Sequence, residues 1–234
     1  MFQLMDEIKR REAAGQDFIH FEIGDPDFDS PLSAQAKVTS AIGQKHTHYC
    51  SSQGLLELRE EIAEFHTRIN NFTRSVKPSQ VVIAPGCNPL IYCILKCLCN
   101  EGDNILYPNP GFPTYESVKN ILNLKNIESS ETSFKVLVLN SPKNPTGYIQ
   151  DNDNLETTHL ISKRLRVFNL SDEIYQLMTY NGEPAPSISY FDQGFKHTAV
   201  ISGYSKAFSM TGWRIGYMIS NEELCEKVTL LLQT

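Results

Sequence analysis

The chain has 234 residues, enough for one large domain or two small ones, and 41% of them are hydrophobic and 21% charged, as in an ordinary globular protein. The net charge of -6 disfavours a nucleic-acid partner, and no apolar stretch approaches the length of a transmembrane helix. The segment Met1–Glu7 carries acids where a signal peptide has a basic region, so we expect a cytoplasmic protein without a membrane partner.

Short apolar runs alternate with helical patterns along the chain. The runs predict strands over Phe18–Ile23, Val81–Ala84, Asn104–Tyr107, Lys135–Asn140, Arg166–Leu170, Thr198–Ser202 and Arg214–Ile219. Apolar spacing predicts helices over Leu55–Arg68, Pro89–Leu98, Asn154–Arg164 and Asn221–Leu232, and the stretch Asn120–Ser133 is polar and irregular. We therefore predict an α/β fold of three layers, α/β/α, with a mainly parallel sheet. Ligands of such sheets bind beyond the carboxyl ends of the strands, so the polar residues there are the candidates for function.

Six cysteines occur, and two of them, Cys93 and Cys97, share one face of a predicted helix. This spacing invites a metal site, but no histidine or acid stands at ligand spacing beside them. We interpret them as buried thiols on an apolar helix, and we predict no metal site and no disulfide framework.

The segment Ser202–Gly216 directly follows a predicted strand and contains Lys206 and Arg214. A lysine walled by apolar groups and close to a cation has a lowered pKa, which suits an amine that forms a Schiff base. Arg214 can bind a phosphate group with two parallel hydrogen bonds. The alternative is a surface lysine and a solvated arginine in a glycine-rich turn.

Another predicted strand leads into Asp172, Glu173 and Tyr175. A carboxylate there can keep a pyridine nitrogen protonated, and a tyrosine three residues later can donate to a phenolic oxygen of the same ring. The alternatives are a helix cap for Asp172 and core packing for Tyr175. Glu173 is interpreted as a solvated residue or as one that supports Asp172 from behind.

Two further turns follow predicted strands. Asn144 precedes Pro145, which favours an extended backbone and can direct its amide towards a ligand, although simple turn chemistry explains it equally well. Gly86, Cys87 and Asn88 stand between a strand and a helix, where backbone N–H groups can bind a phosphate. The glycine spacings of the nucleotide-binding loops are absent from the sequence.

Taken together, Asn-Pro-x-Gly, Asp-Glu-x-Tyr and Ser-Lys followed by Gly-x-Arg, in this order, resemble the fold-type-I enzymes that use pyridoxal phosphate. The pattern is most similar to the class I aminotransferases, notably the bacterial aspartate-aminotransferase branch, from about Met5 onwards. The resemblance implies pyridoxal 5'-phosphate as cofactor, amino acids and 2-oxo acids as substrates, and a homodimer.

The resemblance also implies a role for each matching residue. Lys206 forms the Schiff base, Asp172 pairs with the pyridine nitrogen, and Asn144 and Tyr175 contact the phenolic oxygen. Phe112 stacks on the ring, and Gly24 lies where the substrate carboxylate binds. The residues implied around the phosphate are Gly86, Cys87, Asn88, Ser205 and Arg214, together with Tyr49, which reaches the phosphate of the neighbouring subunit.

The resemblance further implies how the chain is organised. Residues 1–30 correspond to the N-terminal segment of a small domain and residues 31–234 to the cofactor-binding large domain. The C-terminal small domain of the family, with an arginine that binds the substrate carboxylate, is expected to be absent from this sequence. Relatives also carry an extra strand and helix between the positions of Lys125 and Ser133, where this sequence is short.

Two other functions stay open on the sequence alone. One is a lyase or synthase with the same cofactor and fold, such as a carbon–sulfur lyase, which would release ammonia and pyruvate. The other is a shortened relative that binds the cofactor or a partner without efficient turnover.

Overall fold

In the computed structural model, which describes residues 2–21, 23–127 and 133–233, seven strands form one mixed sheet. The strands are β1 Val81–Ala84, β2 Asn104–Leu106, β3 Lys125–Asn126, β4 Val136–Asn140, β5 Phe168–Asp172, β6 Thr198–Gly203 and β7 Gly216–Ile219. Their order is β1-β7-β6-β5-β4-β2-β3. Only β7 runs antiparallel to its neighbours, so β6, β5, β4, β2 and β3 direct their carboxyl ends to the same edge.

The described residues form seven α-helices. They are α1 Phe2–Ala13, α2 Leu32–Gly43, α3 Leu56–Ile69, α4 Cys87–Leu98, α5 Pro113–Ile121, α6 Asn152–Leu165 and α7 Glu222–Leu232. Helices α4, α5 and α7 pack together on one face around the largest apolar cluster, while α3 and α6 contribute to two smaller clusters on the other. The predicted three-layer α/β fold with a mainly parallel sheet is confirmed.

Local sequence signals explain several of these elements. All six residues of β6 are buried, as expected for a central strand covered on both faces. Two helices begin at side-chain caps: Asp151 accepts the N–H of Asn154 at 2.8 Å, and Asn221 accepts that of Leu224 at 2.9 Å. These bonds satisfy N–H groups that a helix leaves unpaired in its first turn.

The strand predicted over Phe18–Ile23 is wrong for the residues of that range that are described. The segment has no strand pairing there, and Ile19 and Phe21 are 85% and 90% exposed. An apolar run becomes a strand only where a neighbouring strand supplies hydrogen-bond partners, and no described strand lies beside this one.

Two predicted strands begin later than expected, both for the same reason. Arg166 and Arg214 have φ values of 57° and 55°, in the left-handed region that ends a helix or turn, so β5 begins at Phe168 and β7 at Gly216. The stretch 120–133 is less irregular than predicted, because α5 reaches Ile121 and β3 follows it. The rest of the predicted shortening falls on 128–132, outside the described residues.

Helices α1, α2 and α5 were not predicted from the sequence. None of the 12 residues of α2 is buried in this chain, so the helix shows little of the core-facing stripe that periodicity detects. Among the described residues, no helix combines the length and apolar character needed to cross a lipid bilayer.

Candidate active site

Polar side chains gather where the parallel strands end. Asn140 is the last residue of β4, Asp172 is the last of β5, and Lys206 follows the end of β6 by three residues. The register pairs Asn140 with Asp172 directly across the two strands, and Asn140 Nδ2 donates to the Asp172 carbonyl oxygen at 3.0 Å. The fold therefore brings three of the sequence motifs to one edge of the sheet, as expected for parallel strands.

The Asp172 carboxyl is buried and held by two donors. Tyr115 Oη donates to Oδ2 at 2.7 Å, and the Ile174 N–H donates to Oδ1 at 3.3 Å. Burial raises the pKa of Asp172 to about 6, while both hydrogen bonds lower it. A carboxylate in this environment is costly unless a cation or further donor faces it, which makes Asp172 a strong candidate for binding a cationic group.

Tyr115 is a site residue that the sequence analysis missed. It is fully buried at the start of α5, where a tyrosine among apolar positions is read as core packing. Burial is the main cause that raises its pKa, followed by the Asp172 charge, so the phenol stays protonated as a donor. The available signal was its place three residues after Phe112, which puts both side chains on adjacent positions of the same helical turn.

Asn144 and Tyr175 come together beside Asp172. The Asn144 side chain hydrogen-bonds the Tyr175 hydroxyl, and burial followed by the Asp172 charge raises the pKa of Tyr175. The turn that carries Asn144 is fixed by its own N–H, which donates to Asn140 Oδ1 at 2.7 Å. A hydroxyl and an amide are thus available for one oxygen of a ligand.

The N-terminus of α4 forms an anion cup with Arg214. Gly86 precedes the helix with φ of 91°, and no side chain caps the first turn, which begins with Cys87 and Asn88. A Cβ built on Gly86 would lie 2.5 Å from Arg214 Nη2, so only glycine lets the guanidinium lie against the helix start. Unpaired N–H groups and a guanidinium together bind a phosphate dianion well.

Arg214 Nη1 donates to the Thr211 carbonyl oxygen at 3.1 Å, which orients the guanidinium. Cys87 packs below the cup, where Sγ donates to the Ser202 carbonyl oxygen at 3.2 Å. Burial raises the pKa of this thiol far above its usual range, so it stays uncharged, and any contribution of Cys87 to the cup comes through its backbone.

The Lys206 amine is half-buried, and Nζ donates to the Gly24 carbonyl oxygen at 2.7 Å. Burial lowers its pKa, the Asp25 charge raises it, and the Arg214 charge lowers it. The net direction is downward, so a larger fraction of this amine is uncharged and nucleophilic at neutral pH. Gly24, predicted from the resemblance, thus lies at the same site.

Three other predicted site residues differ from one another in how far they are buried. Phe112 is half-buried, with its ring edge-on to Tyr115 at a centroid distance of 5.8 Å. Ser205 is half-buried in the turn before Lys206, and its carbonyl accepts the Met210 N–H at 3.1 Å. Tyr49 is fully exposed, so its side chain is not part of the site formed by this single chain.

Of the two interpretations of Glu173, the solvated one is wrong. Its side chain is 1% exposed, and burial raises its pKa to about 7. Two serine hydroxyls donate to its Oε1, from Ser171 at 2.8 Å and from Ser187 at 2.7 Å.

The predicted thiol pair lies on α4, where Cys93 is buried and Cys97 half-buried, and all six cysteines are free. Across the described ranges, no group of three or more His, Cys, Asp or Glu side chains is arranged to hold a metal ion.

The residues present fit pyridoxal phosphate. That molecule needs an amine for its aldehyde, a carboxylate for its ring nitrogen, donors for its phenolic oxygen and an anion cup for its phosphate. Lys206, Asp172, the pair of Asn144 and Tyr175, and the α4 N-terminus with Arg214 match these four requirements in turn. The uncapped first turn of α4 and the close approach at Gly86 are the observations on which this fit depends.

Comparison with known proteins identifies the family. Residues 16–234 match the family model described as aminotransferase class I and II. The chain is 33% identical to the (5-formylfuran-3-yl)methyl phosphate transaminase of Methanocaldococcus jannaschii, over 99% of this chain and 64% of that protein. It is also 33% identical to the aspartate aminotransferase of Bacillus subtilis, over 95% of this chain and 61% of that protein.

A solved structure shows the same fold. The aspartate aminotransferase from Thermus thermophilus with maleate matches with a TM-score of 0.92 and 26% sequence identity, over 99% of this chain and 64% of that chain. The chain thus spans less than two thirds of the length of these relatives. The family match and the fold agree, and this chain belongs to the class I and II aminotransferases, a family that depends on pyridoxal phosphate.

Proposed function

We propose that this chain carries the catalytic centre of an aminotransferase, which moves an amino group between an amino acid and a 2-oxo acid. The observation that carries the proposal is the placement of Lys206, an amine with a lowered pKa, at the strand edge that holds Asp172. The relatives named above are all transaminases by name, which supports transamination over the lyase alternative.

In this proposal, the chain holds the cofactor at four points. Asp172 binds the ring nitrogen, Asn144 and Tyr175 bind the phenolic oxygen, and Phe112 lies against the ring. The phosphate group binds to a set of residues around the α4 N-terminus, namely Gly86, Cys87, Asn88, Ser205 and Arg214. When bound, pyridoxal phosphate supplies a Schiff-base carbon and an electron sink, which no amino-acid side chain can provide.

Lys206 has two tasks that follow from one property. Its uncharged Nζ is a nucleophile, and once free it is a base for the Cα proton of the amino acid, which it later returns. The Gly24 carbonyl that accepts from Nζ at 2.7 Å orients the amine. We place the substrate carboxylate near Gly24, so that Cα lies within reach of Nζ.

Product analysis of a half-reaction tests the proposal. The chain loaded with pyridoxal phosphate is mixed with single amino acids in the absence of any 2-oxo acid. We expect a 2-oxo acid and the aminated cofactor in equal amounts, and no product from Lys206→Ala. Ammonia and pyruvate would identify a lyase instead, and cofactor binding without any product would identify a binding module.

We further propose that residues 31–234 form the cofactor-binding domain, that residues 1–30 belong to a second, smaller domain, and that the active species is a homodimer. Helix α2 has no buried residue, and large apolar side chains around it are exposed, including Phe28, Leu32, Ile42 and Tyr49. Apolar surface of this kind is typical of an interface. Tyr49 then reaches the phosphate of the neighbouring subunit.

Sedimentation equilibrium tests whether the chain forms a dimer. A cofactor titration of the Tyr49→Phe variant tests whether Tyr49 contributes to the phosphate site. We expect a dimer and a several-fold weaker cofactor affinity in the variant. A stable monomer that binds cofactor at every site would contradict the composite site.

A cytoplasmic location is part of the same proposal and is supported by the six free cysteines, which are typical of a reducing compartment. Alkylation during denaturing lysis of the cells, before any reductant is added, should modify all six thiols.

A further inference from the structure

The proposed mechanism uses Asp172 but leaves the neighbouring buried carboxyl, Glu173, without a task. Successive residues of an extended chain point to opposite faces of a sheet. Asp172 accordingly contacts Tyr115 of α5, and Glu173 contacts Ser187 on the other face. Burial makes a charge on either carboxyl costly, and the Asp172 charge adds to that cost at Glu173.

The two oxygens of Glu173 have unequal surroundings. Oε1 accepts two hydroxyl hydrogen bonds, from Ser171 and Ser187. Oε2 is buried and has no hydrogen-bond partner among the described residues. Both oxygens of Asp172, in contrast, have a donor. A proton on Glu173 Oε2 removes the cost of an unsolvated carboxylate oxygen.

A series of hydrogen bonds leads from Ala185 to Ser187, and one backbone carbonyl group determines which side chains in it donate and which accept. The Ala185 carbonyl can only accept, so Gln176 Nε2, at 3.1 Å, is the amide nitrogen and a donor. The same Nε2 donates to Asn70 Oδ1 at 2.8 Å, which makes the other end of Asn70 a donor as well. Asn70 Nδ2 lies 3.3 Å from His66 Nδ1, so this ring nitrogen accepts and His66 carries its hydrogen on Nε2.

The chain of donors continues from His66 to Glu173. His66 Nε2 lies 3.1 Å from Ser189 Oγ, and Ser189 Oγ lies 2.5 Å from Ser187 Oγ. Ser187 Oγ then donates to Glu173 Oε1. Burial lowers the pKa of His66 to about 3, which keeps the ring neutral and this direction fixed. Every donor therefore points to Oε1, and the remaining place for a proton is Oε2.

Other ionisable groups face Glu173 from neighbouring elements. Tyr217 of β7 is buried nearby and, with its pKa raised mainly by burial, stays uncharged. A cavity of about 170 Å³ beside Glu173 is also lined by Glu61 and Arg68 of α3 and by Tyr204. Burial is the main cause that raises the pKa of Glu173, and the charge of Asp172 raises it further.

We infer that Glu173 holds the single proton of the Asp172–Glu173 pair on Oε2, so that the negative charge of the pair resides on Asp172. The hydrogen-bonded chain from Ala185 to Ser187 makes Glu173 a positioning residue, which acts on the site through Asp172. The use of that charge for a ring nitrogen rests on the proposed function, but the location of the proton does not.

Infrared spectroscopy of the full chain without added cofactor tests this inference. The C=O stretch of protonated carboxyls is recorded across a pH series, and the band that is followed is the one that persists to the highest pH, since the pKa of Glu173 is raised to about 7 and that of Asp172 to about 6. Labelling glutamate side chains with ¹³C should shift the band, and labelling aspartate should leave it in place. Since labelling changes no residue, this result does not depend on the folding of a variant.

Variants then assign the band to one residue. Glu173→Gln should abolish it, whereas the exposed control Glu60→Gln should keep it unchanged. Asp172→Asn should keep the band but lower its titration midpoint, because a like charge has been removed. A band that shifts with labelled aspartate, a band that survives in Glu173→Gln, or the absence of any protonated carboxyl band would overturn the inference. None of these results depends on whether the chain is a transaminase.

Discussion

At the scale of single residues, Asp172 is controlled from both faces of the sheet. Tyr115 donates directly to its carboxyl, and Glu173 lies behind it on the opposite face. The charge on Asp172 is therefore a property of its neighbours as much as of the aspartate.

The Tyr115 hydroxyl should assist Asp172 mainly by keeping it ionised. Tyr115→Phe removes a donor that lowers the pKa of Asp172, so this pKa should rise. A hydrogen bond to a charged group contributes about 1.5–3 kcal/mol, which raises the pKa of Asp172 by about one to two units from its value of about 6. The ionised fraction of Asp172 near neutral pH, and with it the rate of the half-reaction, should then fall about two- to tenfold.

The measurement is the single-turnover rate with an amino acid across a pH series. The loss should shrink as pH rises, because Asp172 ionises again there. Tyr180→Phe, at a fully exposed tyrosine, is the control and should match the unaltered chain. An equal loss at every pH would mean that Tyr115 acts only in packing.

At the scale of elements, the junction of β1 and α4 provides the anion cup. The strand ends at Ala84, and the helix begins three residues later, after a glycine in the left-handed region. Arg214 approaches this junction from the segment just before β7, the neighbour of β1 in the sheet. Strand pairing thus brings together two groups that are more than a hundred residues apart in sequence.

Gly86→Ala should weaken cofactor binding through Arg214. The new Cβ would lie 2.5 Å from Nη2, so the guanidinium must move away from the helix start. Loss of its charge-assisted hydrogen bonds should weaken cofactor affinity by about tenfold to a hundredfold.

Gly102→Ala is a matched control, because Gly102 also has a left-handed φ, of 82°, but open space around its Cβ position. Both variants should lose about 1 kcal/mol of stability from backbone strain. A fluorescence titration with pyridoxal phosphate should separate them. Equal cofactor affinities for the two variants would show that the position of Arg214 against Gly86 does not affect cofactor binding.

At the scale of the whole molecule, two buried groups of the Glu173 chain make folding depend on pH in opposite directions. Glu173 has its pKa raised from 4.5 to about 7, so its contribution to stability is complete below pH 4.5 and is lost as pH rises through about 7. His66 has its pKa lowered from 6.5 to about 3, so its contribution is present above pH 6.5 and is lost as pH falls through about 3. Between about pH 4.5 and 6.5 the two effects oppose each other in the unaltered chain.

Glu173→Gln should reveal the carboxyl contribution, because glutamine does not ionise. Relative to the unaltered chain, the free energy of unfolding of this variant should rise by about 3 kcal/mol as pH increases from below 4.5 to above 7. Urea unfolding at a series of pH values measures this difference. A difference that does not change with pH would show that Glu173 has an ordinary pKa in the folded chain.

The fold class and the main site could be predicted from the sequence, because apolar runs mark the strands and polar site residues directly follow these runs. Lys206, Asp172 and Asn144 follow apolar runs, and parallel strands bring such ends together whatever their separation in sequence. Tyr115 and the surroundings of Glu173 were missed because their partners lie on distant elements: His66 on α3 and Ser187 beyond β5. The residues next to a glutamate in sequence do not show whether its side chain is solvated or buried.

Reductive trapping of the cofactor shows whether Lys206 is the amine that binds it. The chain is loaded with pyridoxal phosphate, reduced with borohydride, digested and analysed by mass spectrometry. We predict a pyridoxyl group on the peptide that contains Lys206, and none in Lys206→Arg. An adduct on another lysine, or cofactor bound without any lysine adduct, would contradict it.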